Sequence, residues 1–533
     1  MNKFNLVILT ILCFSLLNCA KRGNPEGGPK DESPPELINA SPKENSTNFK
    51  EKRIRLFFDE YIKLKDFRKQ LVVSPPIDKS YYSISPQSGA SKYIQIDINE
   101  TLPENTTFVY NFGQSVVDNN EGNILPYFKY VFSTGNYVDS LKIKGNVKSV
   151  YKRKPETFIS TLLYPVDENF NDSIIYNSLP KYVGNTLDST YFEVSNLKKG
   201  KYLLVAINDL NKNYKFDPRN EEIGFFESLI EIPNSDSLSI ELFKEKPEFR
   251  SFRPFIETEN RIGFGYIGDH REIQISLLEE KYNNSDYVLT KSRESDTLFY
   301  WHKNVGFDSL NFLVKSKKME KFYSLKNKKS KKDSLILKPI TSGFLNLNKK
   351  FTISSSIPLH KINQDNIEIV NNDSISVQFK SMIDSNKMDL IFDFEILPND
   401  KYYLNLLPGA ITDFLGFQND TLSYSFRTKK RSDYGTIILN IDNRKTFPLI
   451  VQLTDLEEKV LAEKILLNSS DLCVFNNLEP AKYYMKVVID SNSNNEWDPG
   501  IYLEKSKSER TYHFSEILDV RANWILREKM VLD

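Results

Sequence analysis

The chain has 533 residues, with 71 basic and 71 acidic side chains and 40% hydrophobic content. Such a length exceeds one hydrophobic core and predicts about three to five domains. The charge balance removes the basis for nucleic-acid binding, which needs a basic excess or patch, and three cysteines exclude a disulfide scaffold. Twenty-eight Tyr and 36 Phe favour strands over helices.

In chain order, the first feature is a leader. It opens Met1-Asn2-Lys3, runs apolar from Leu6 to Leu17 and ends Leu16-Leu17-Asn18-Cys19. A cationic start with a short apolar run reads as a secretory signal, too short for a permanent membrane helix. The ending resembles the lipobox of bacterial lipoproteins, although Asn18 departs from the usual small residue. The resemblance implies a signal peptide over residues 1–18, lipidation of Cys19, and an outer-membrane protein held by its lipid. Both membrane faces stay open: Lys21 fits the pattern that directs surface export, Arg22 and Gly23 do not. Residues 19–35 (AKRGNPEGGPKDESPP after the cysteine) are dense in Gly and Pro and read as a flexible tether. Fully extended it would reach roughly 50 Å. Cys13 leaves with the leader, and Cys473, inside Leu472-Cys473-Val474-Phe475, reads as a small buried apolar residue.

After the tether the pattern is all-β, a string of antiparallel β-sandwich, Ig-like modules. Ile94, Ile96 and Ile98 alternate with polar residues, as do Ile375, Val377 and Phe379, and Leu390, Phe392 and Phe394. Period two places one face in a core and one in solvent. Only Leu456–Leu467 has some helical character, and it reads equally as a strand pair.

Two internal repeats organise the chain. Residues 54–135 run IRLFFDEYIKL, LPENTTFVYNF, VVDNNEGN, YVFSTG, and residues 344–429 run FTISSSIPLHKI, LPNDKYYLNLL, AITDFLGFQND, YSFRTK. This layout resembles the bacterial Ig-like domain of S-layer proteins, in which an Asp-containing turn (here Val117-Asp118 and Thr412-Asp413) precedes the last strand. It is similar to Ig-like-domain lipoproteins of the Bacteroidota cell envelope. The second repeat pairs Asn196-Leu197-Lys198-Lys199-Gly200-Lys201-Tyr202 with Asn477-Leu478-Glu479-Pro480-Ala481-Lys482-Tyr483, 281 residues later. Each copy continues into a loop: Asp209, Asn211, Asn213 and Asp217, matched by Asp490, Asn492, Asn494 and Asp498. A Lys-Tyr strand feeding such a loop resembles small sandwiches of the carboxypeptidase-regulatory or prealbumin type. The expected order is an Ig-like domain (36–136), a small sandwich (137–247), a middle β module (248–340), a second Ig-like domain (341–430) and a second small sandwich (431–533).

The D-x-N-x-N-x3-D loops are the candidate sites. Alternating Asp and Asn oxygens on a short loop suit Ca²⁺, which takes six or more hard ligands. Against an EF-hand loop the Gly at position six is absent (Tyr214 and Asn495 stand there) and so is the Glu at position twelve, leaving Glu221, Glu222 or Glu504 as substitutes. Two readings stand: a weak structural Ca²⁺ site, and a polar turn whose Asp and Asn side chains bond their own backbone. The four histidines, His270, His302, His360 and His513, have no metal-ligand spacing and read as surface or half-buried residues. Nucleophile-elbow, Walker and dinucleotide motifs are missing. Lys315–Lys332, half lysine, reads as a solvated hairpin tip more readily than as an anion-binding patch. Trp301 and Trp497 are candidate sugar platforms, with Trp497 better placed to pack its own loop.

The functional expectation is a non-catalytic scaffold or interaction protein, in effect a row of modules on an anchor, as an accessory subunit with protein partners in the outer membrane. The alternatives are a surface adhesin or glycan-binding lipoprotein, and a polysaccharide-active enzyme whose middle module would hold two facing carboxylates.

Overall fold

The computed structural model describes residues 30–234, 236–278, 287–303, 307–317, 319–442 and 446–532. The leader, Cys19 and the tether as far as Pro29 lie outside the described residues. The chain is all-β, built almost entirely of antiparallel sheets. It divides into two compact units: one runs to Lys142 and adds Lys181–Leu187 and Val194–Lys199; the other holds the rest.

In the first unit the alternation of the sequence becomes a sandwich. Strand Arg53–Leu64 turns Ile54, Leu56, Phe58 and Ile62 inward, opposite Ile94, Ile96 and Ile98 of strand Ser91–Ile98. On the outer face Arg53 meets Asp97 at 2.6 Å. The facing sheet joins Val72–Ser74, Thr107–Gly113 and Phe128–Ser133, and its Phe108, Tyr110, Phe112 and Phe132 fill the core. The turn after Val116–Asp118 is wound on one carboxylate. Asp118 accepts N–H bonds from Asn120, Glu121, Gly122 and Asn123 at 2.6–3.0 Å. Burial pushes this carboxyl up, but the four N–H groups together outweigh it and hold it below the ordinary aspartate range. The end of the expected tether is not free: Asn123 donates to the Asp31 and Ser33 carbonyls at 2.9 and 3.1 Å, and Pro35 is buried.

Residues 337–426 of the second unit repeat this plan around their own core. Strand Leu359–Ile362 pairs with Ile411–Asp413 just as the end of Arg53–Leu64 pairs with Val116–Asp118. The small sandwiches are likewise copies. Gly200–Ile207 pairs with Ser160–Pro165, Ile223–Phe225 and Ile230–Ile232; Ala481–Ile489 pairs with Leu449–Thr454, Thr511–His513 and Leu518–Val520. Each closes with a parallel strand, Ser237–Leu242 on Lys144–Ser149 and Ile525–Val531 on Thr436–Asp442. Cys473 is buried in the core of the last sandwich.

The middle module has its own core, from Ile262 to Leu325. The lysine-rich run there forms hairpin strand Met319–Lys326, at the edge of its sheet, and the loop after it. Lysines on an unpaired edge oppose strand addition by other chains.

Several expectations change. Leu456–Leu467 holds no helix: Val460–Leu466 is a strand paired with Leu449–Thr454, and its apolar residues Val460 and Leu461 are exposed because it is a sheet edge. Trp301 is fully buried, not a sugar platform. It packs with Val288, Ile357 and Phe414, joining the middle module to the fourth, while its Nε1 donates to Thr290 at 2.9 Å. His302, expected at or near the surface, is also buried. The second unit is not a row. Its third and fourth modules meet at Trp301. The fourth and fifth meet through Asn346 on the Asn477 carbonyl (2.9 Å) and Lys429 on Glu479 (2.6 Å). The fifth returns to the second.

Candidate functional site

Both Asp/Asn loops leave the end of the same strand of the repeat, Gly200–Ile207 in the first sandwich and Ala481–Ile489 in the last, and both are wound identically. In the first, Asp209 accepts the Asn213 and Tyr214 N–H groups at 3.1 and 2.9 Å. Asn211 accepts Asn213 N–H at 3.1 Å, and Asn213 accepts Lys215 N–H at 2.8 Å. In the second, Asp490 accepts Asn494 and Asn495 N–H at 3.1 and 2.9 Å. Asn492 accepts Asn494 N–H at 3.1 Å, and Asn494 accepts Glu496 N–H at 2.8 Å. Short side chains that accept from the backbone stabilise the left-handed conformations at Lys212 and Tyr214, and at Ser493 and Asn495.

A buried glutamate braces each loop. Glu221 accepts Leu210 and Asp217 N–H at 3.2 and 2.9 Å, and Glu509 accepts Ser491 and Asp498 N–H at 2.6 and 3.1 Å. Burial raises both carboxyls, and it raises Asp209 against the pull of its own N–H donors. Of the substitutes expected from sequence, Glu221 takes this position. Glu222 instead pairs with Lys152 at 2.9 Å. Glu504 is exposed, and Glu509 does its work. The shift arises because the second loop is seven residues longer between Asp498 and its brace than the first between Asp217 and Glu221. That length difference was the available signal.

Ca²⁺ would need six or more oxygens around one point. Here the loop acceptors already take N–H bonds. Asp217 is bound by Arg219 at 2.8 Å, and Asp498 by Lys246 at 2.7 Å and by the amides of Asn492 and Asn494 at 2.6 Å. Among the described residues no group of three or more His, Cys, Asp or Glu side chains converges on a metal position. The loops hold their shape as turns.

The extra length of the second loop reaches the second module. Tyr502 is fully buried, with its ring edge-on to Phe225 at 5.4 Å and its N–H on Glu245 at 2.5 Å. Lys505 lies 4.0 Å from the Tyr502 ring centroid and 2.6 Å from Asp172. A side chain at Gly500 would come 2.8 Å from the Phe243 ring, so the close approach requires glycine. Beside it, Trp497 packs on Tyr151 at 4.5 Å and donates to the Glu509 carbonyl at 3.1 Å. The other face of the contact is built on Tyr151 and Arg153. The Lys486 ammonium sits 3.2 Å from the Tyr151 ring centroid, and burial pushes its pKa down to about 8. Arg153 donates its N–H to Glu458 at 3.0 Å and its guanidinium to the Phe514 and Ser515 carbonyls. His513, half-buried and lowered by burial, faces the Val150 carbonyl at 3.4 Å. Together these contacts form a clasp that closes modules two to five on themselves.

In the middle module Asp269 is engaged as well. Arg271 binds Asp269 at 2.6 Å and Glu496 of the second loop at 2.8 and 3.0 Å; its bonds hold the Asp269 carboxyl down at about 2.

A sequence profile of the bacterial Ig-like domain matches residues 31–134. No curated protein matches the chain by sequence. Among solved structures, the S-layer protein rSbsC(31-844) is 8% identical over 91% of this chain and 67% of its own, with a TM-score of 0.16. The Bacteroides ovatus mixed-linkage glucan utilization locus protein SGBP-B, solved with a mixed-linkage heptasaccharide, is 12% identical over 72% and 91%, TM-score 0.17. A variant of BcpA, the major pilin subunit of Bacillus cereus, is 8% identical over 74% and 99%, TM-score 0.14. Likeness this distant carries nothing about activity.

Proposed function

We propose that this is a non-catalytic, lipid-anchored envelope protein, a scaffold or accessory subunit of an outer-membrane complex. One observation carries the reading. The polar residues best suited by type to chemistry are used to shape turns and dock modules. Asp498, Glu496, Glu245, Asp172 and Glu458 all bind groups of a neighbouring module. A body closed in this way is stiff, and stiffness suits a protein that presents surfaces to partners rather than one that moves around a substrate. Anchoring rests on the leader and Cys19. Bacterial lipoproteins carry several acyl chains, and stable membrane attachment requires more than one.

The test is purification of the native lipidated protein from detergent-solubilised envelope, with protease shaving of intact cells and a Cys19→Ala variant. Co-purification with an outer-membrane protein, lost from the membrane fraction in the variant, supports the reading. A protein that comes down alone yet is shaved from whole cells replaces it with the adhesin reading. A Cys19→Ala protein that still fractionates with the membrane removes the lipid anchor.

A further inference from the structure

Beside the clasp, where the second, middle and fifth modules meet, lies a recess of about 720 Å³. Binding sites concentrate at such junctions and in this size range. Its wall is shaped by Gly268, whose φ of +91° excludes other residues at low cost and where a side chain would come 2.7 Å from the Pro247 carbonyl oxygen. The Arg271–Glu496 pair spans one side.

Three features point to a ligand. Tyr266 lines the recess and is only 3% exposed, yet its hydroxyl has no hydrogen-bond partner among the described residues. Buried hydroxyls are normally satisfied, and an exception calls for a missing partner. Lys244 and Lys291 also line it, and neither forms an ion pair among the described residues, whereas Lys246, Arg219 and Arg271 are each bound to a carboxylate. Asp296, on the same wall, is a carboxylate without an ion pair among the described residues.

We infer that this recess binds a phosphorylated saccharide. Lys244 and Lys291 supply the point charges that suit a phosphate. Asp296 accepts from sugar hydroxyls, and the Tyr266 hydroxyl completes its own bonding on the ligand. A neutral sugar leaves the two ammonium groups unused, and free phosphate offers Asp296 no hydroxyl to accept from.

The test is calorimetric titration of the full chain with glucosamine 1-phosphate, inorganic phosphate and glucosamine, on wild type, Tyr266→Phe and Lys291→Gln. The expected result is binding of the sugar phosphate at least about tenfold tighter than either fragment. Each variant should weaken it by about tenfold or more, the scale of one charge-assisted bond. Tyr266→Phe should leave the melting temperature unchanged or raised, since the removed hydroxyl has no partner among the described residues; a structural role for that hydroxyl would lower it. Absence of binding of the sugar phosphate, or binding that both variants leave intact, overturns the inference. Equal affinity for inorganic phosphate overturns the saccharide part.

Discussion

Tyr502→Ala removes the peg of the clasp. The side chain is fully buried, and a buried aromatic of this size covers roughly 150–250 Å². At ~25 cal/mol per Å² its apolar part is worth about 3–4 kcal/mol, within the ~3–5 kcal/mol usually lost on truncating a core aromatic to Ala. The Tyr502 N–H bond to Glu245 survives the change, as do the Lys246–Asp498 and Arg271–Glu496 pairs, so the contact should loosen without unfolding either sandwich. The assay is hydrogen exchange resolved by peptide. Residues 499–508 and the facing strand Ile223–Phe225 should lose protection together, by a factor consistent with about 3 kcal/mol, while the core strand Leu449–Thr454 keeps its own. Tyr502→Phe, which loses only a 3.4 Å contact to Asp172, should change protection by less than about 1 kcal/mol. If Tyr502→Ala leaves residues 499–508 as protected as in wild type, the strap is not held by its tyrosine and the reasoning fails.

Three further outcomes follow from the same geometry. The folded pKa of Lys486, about 8, lies below the ordinary lysine value, so stability should rise with pH between roughly 8 and 10 as the folded chain sheds a proton that the unfolded chain keeps. Lys486→Met should be more stable than wild type at pH 7 by about 1–2 kcal/mol, the burial cost less the attraction of the Tyr151 ring; a gap in urea denaturation that does not narrow by about pH 9.5 would refute this. Glu509→Gln offers one acceptor where two N–H groups need one each, and should cost about 1–3 kcal/mol by denaturant titration, with Glu221→Gln similar; no loss in either would mean that the brace is dispensable. Since the loops are satisfied by backbone bonds, about 5 mM Ca²⁺ should move the melting temperature no more than EDTA does. A site with Kd near ~10⁻⁴–10⁻³ M would instead add about 1–2 kcal/mol and raise it by a few degrees.

Much of the fold was legible because period-two alternation is a local signal. Ile94, Ile96 and Ile98 declare their face without knowledge of any neighbour. The 281-residue repeat was legible for the same reason, since the turn chemistry of Asp209 and Asp490 is written within ten residues of sequence. Contacts between modules were not. Trp301 has the composition of an exposed platform and the environment of a core, because the surface that covers it, Ile357 and Phe414, comes from another module. Tyr502 and Glu509 went unseen because one sits inside and the other just beyond an insertion that breaks the repeat. Lys486 reads as one more surface lysine until Tyr151, more than three hundred residues earlier, is placed over it. The recess around Tyr266 is likewise assembled from three modules and has no motif.

The closed arrangement of modules two to five is tested most directly by zero-length carbodiimide cross-linking of the native protein, read by mass spectrometry. That reagent joins a lysine to a carboxylate only where they already touch. The structure predicts joined peptides containing Lys246 with Asp498 and Lys505 with Asp172, pairs 2.7 and 2.6 Å apart. Lys350 with Asp393, 2.6 Å apart inside the fourth module, serves as the internal control. Recovery of the control without either clasp pair would contradict the closed body, and with it the stiff scaffold on which the proposed function rests.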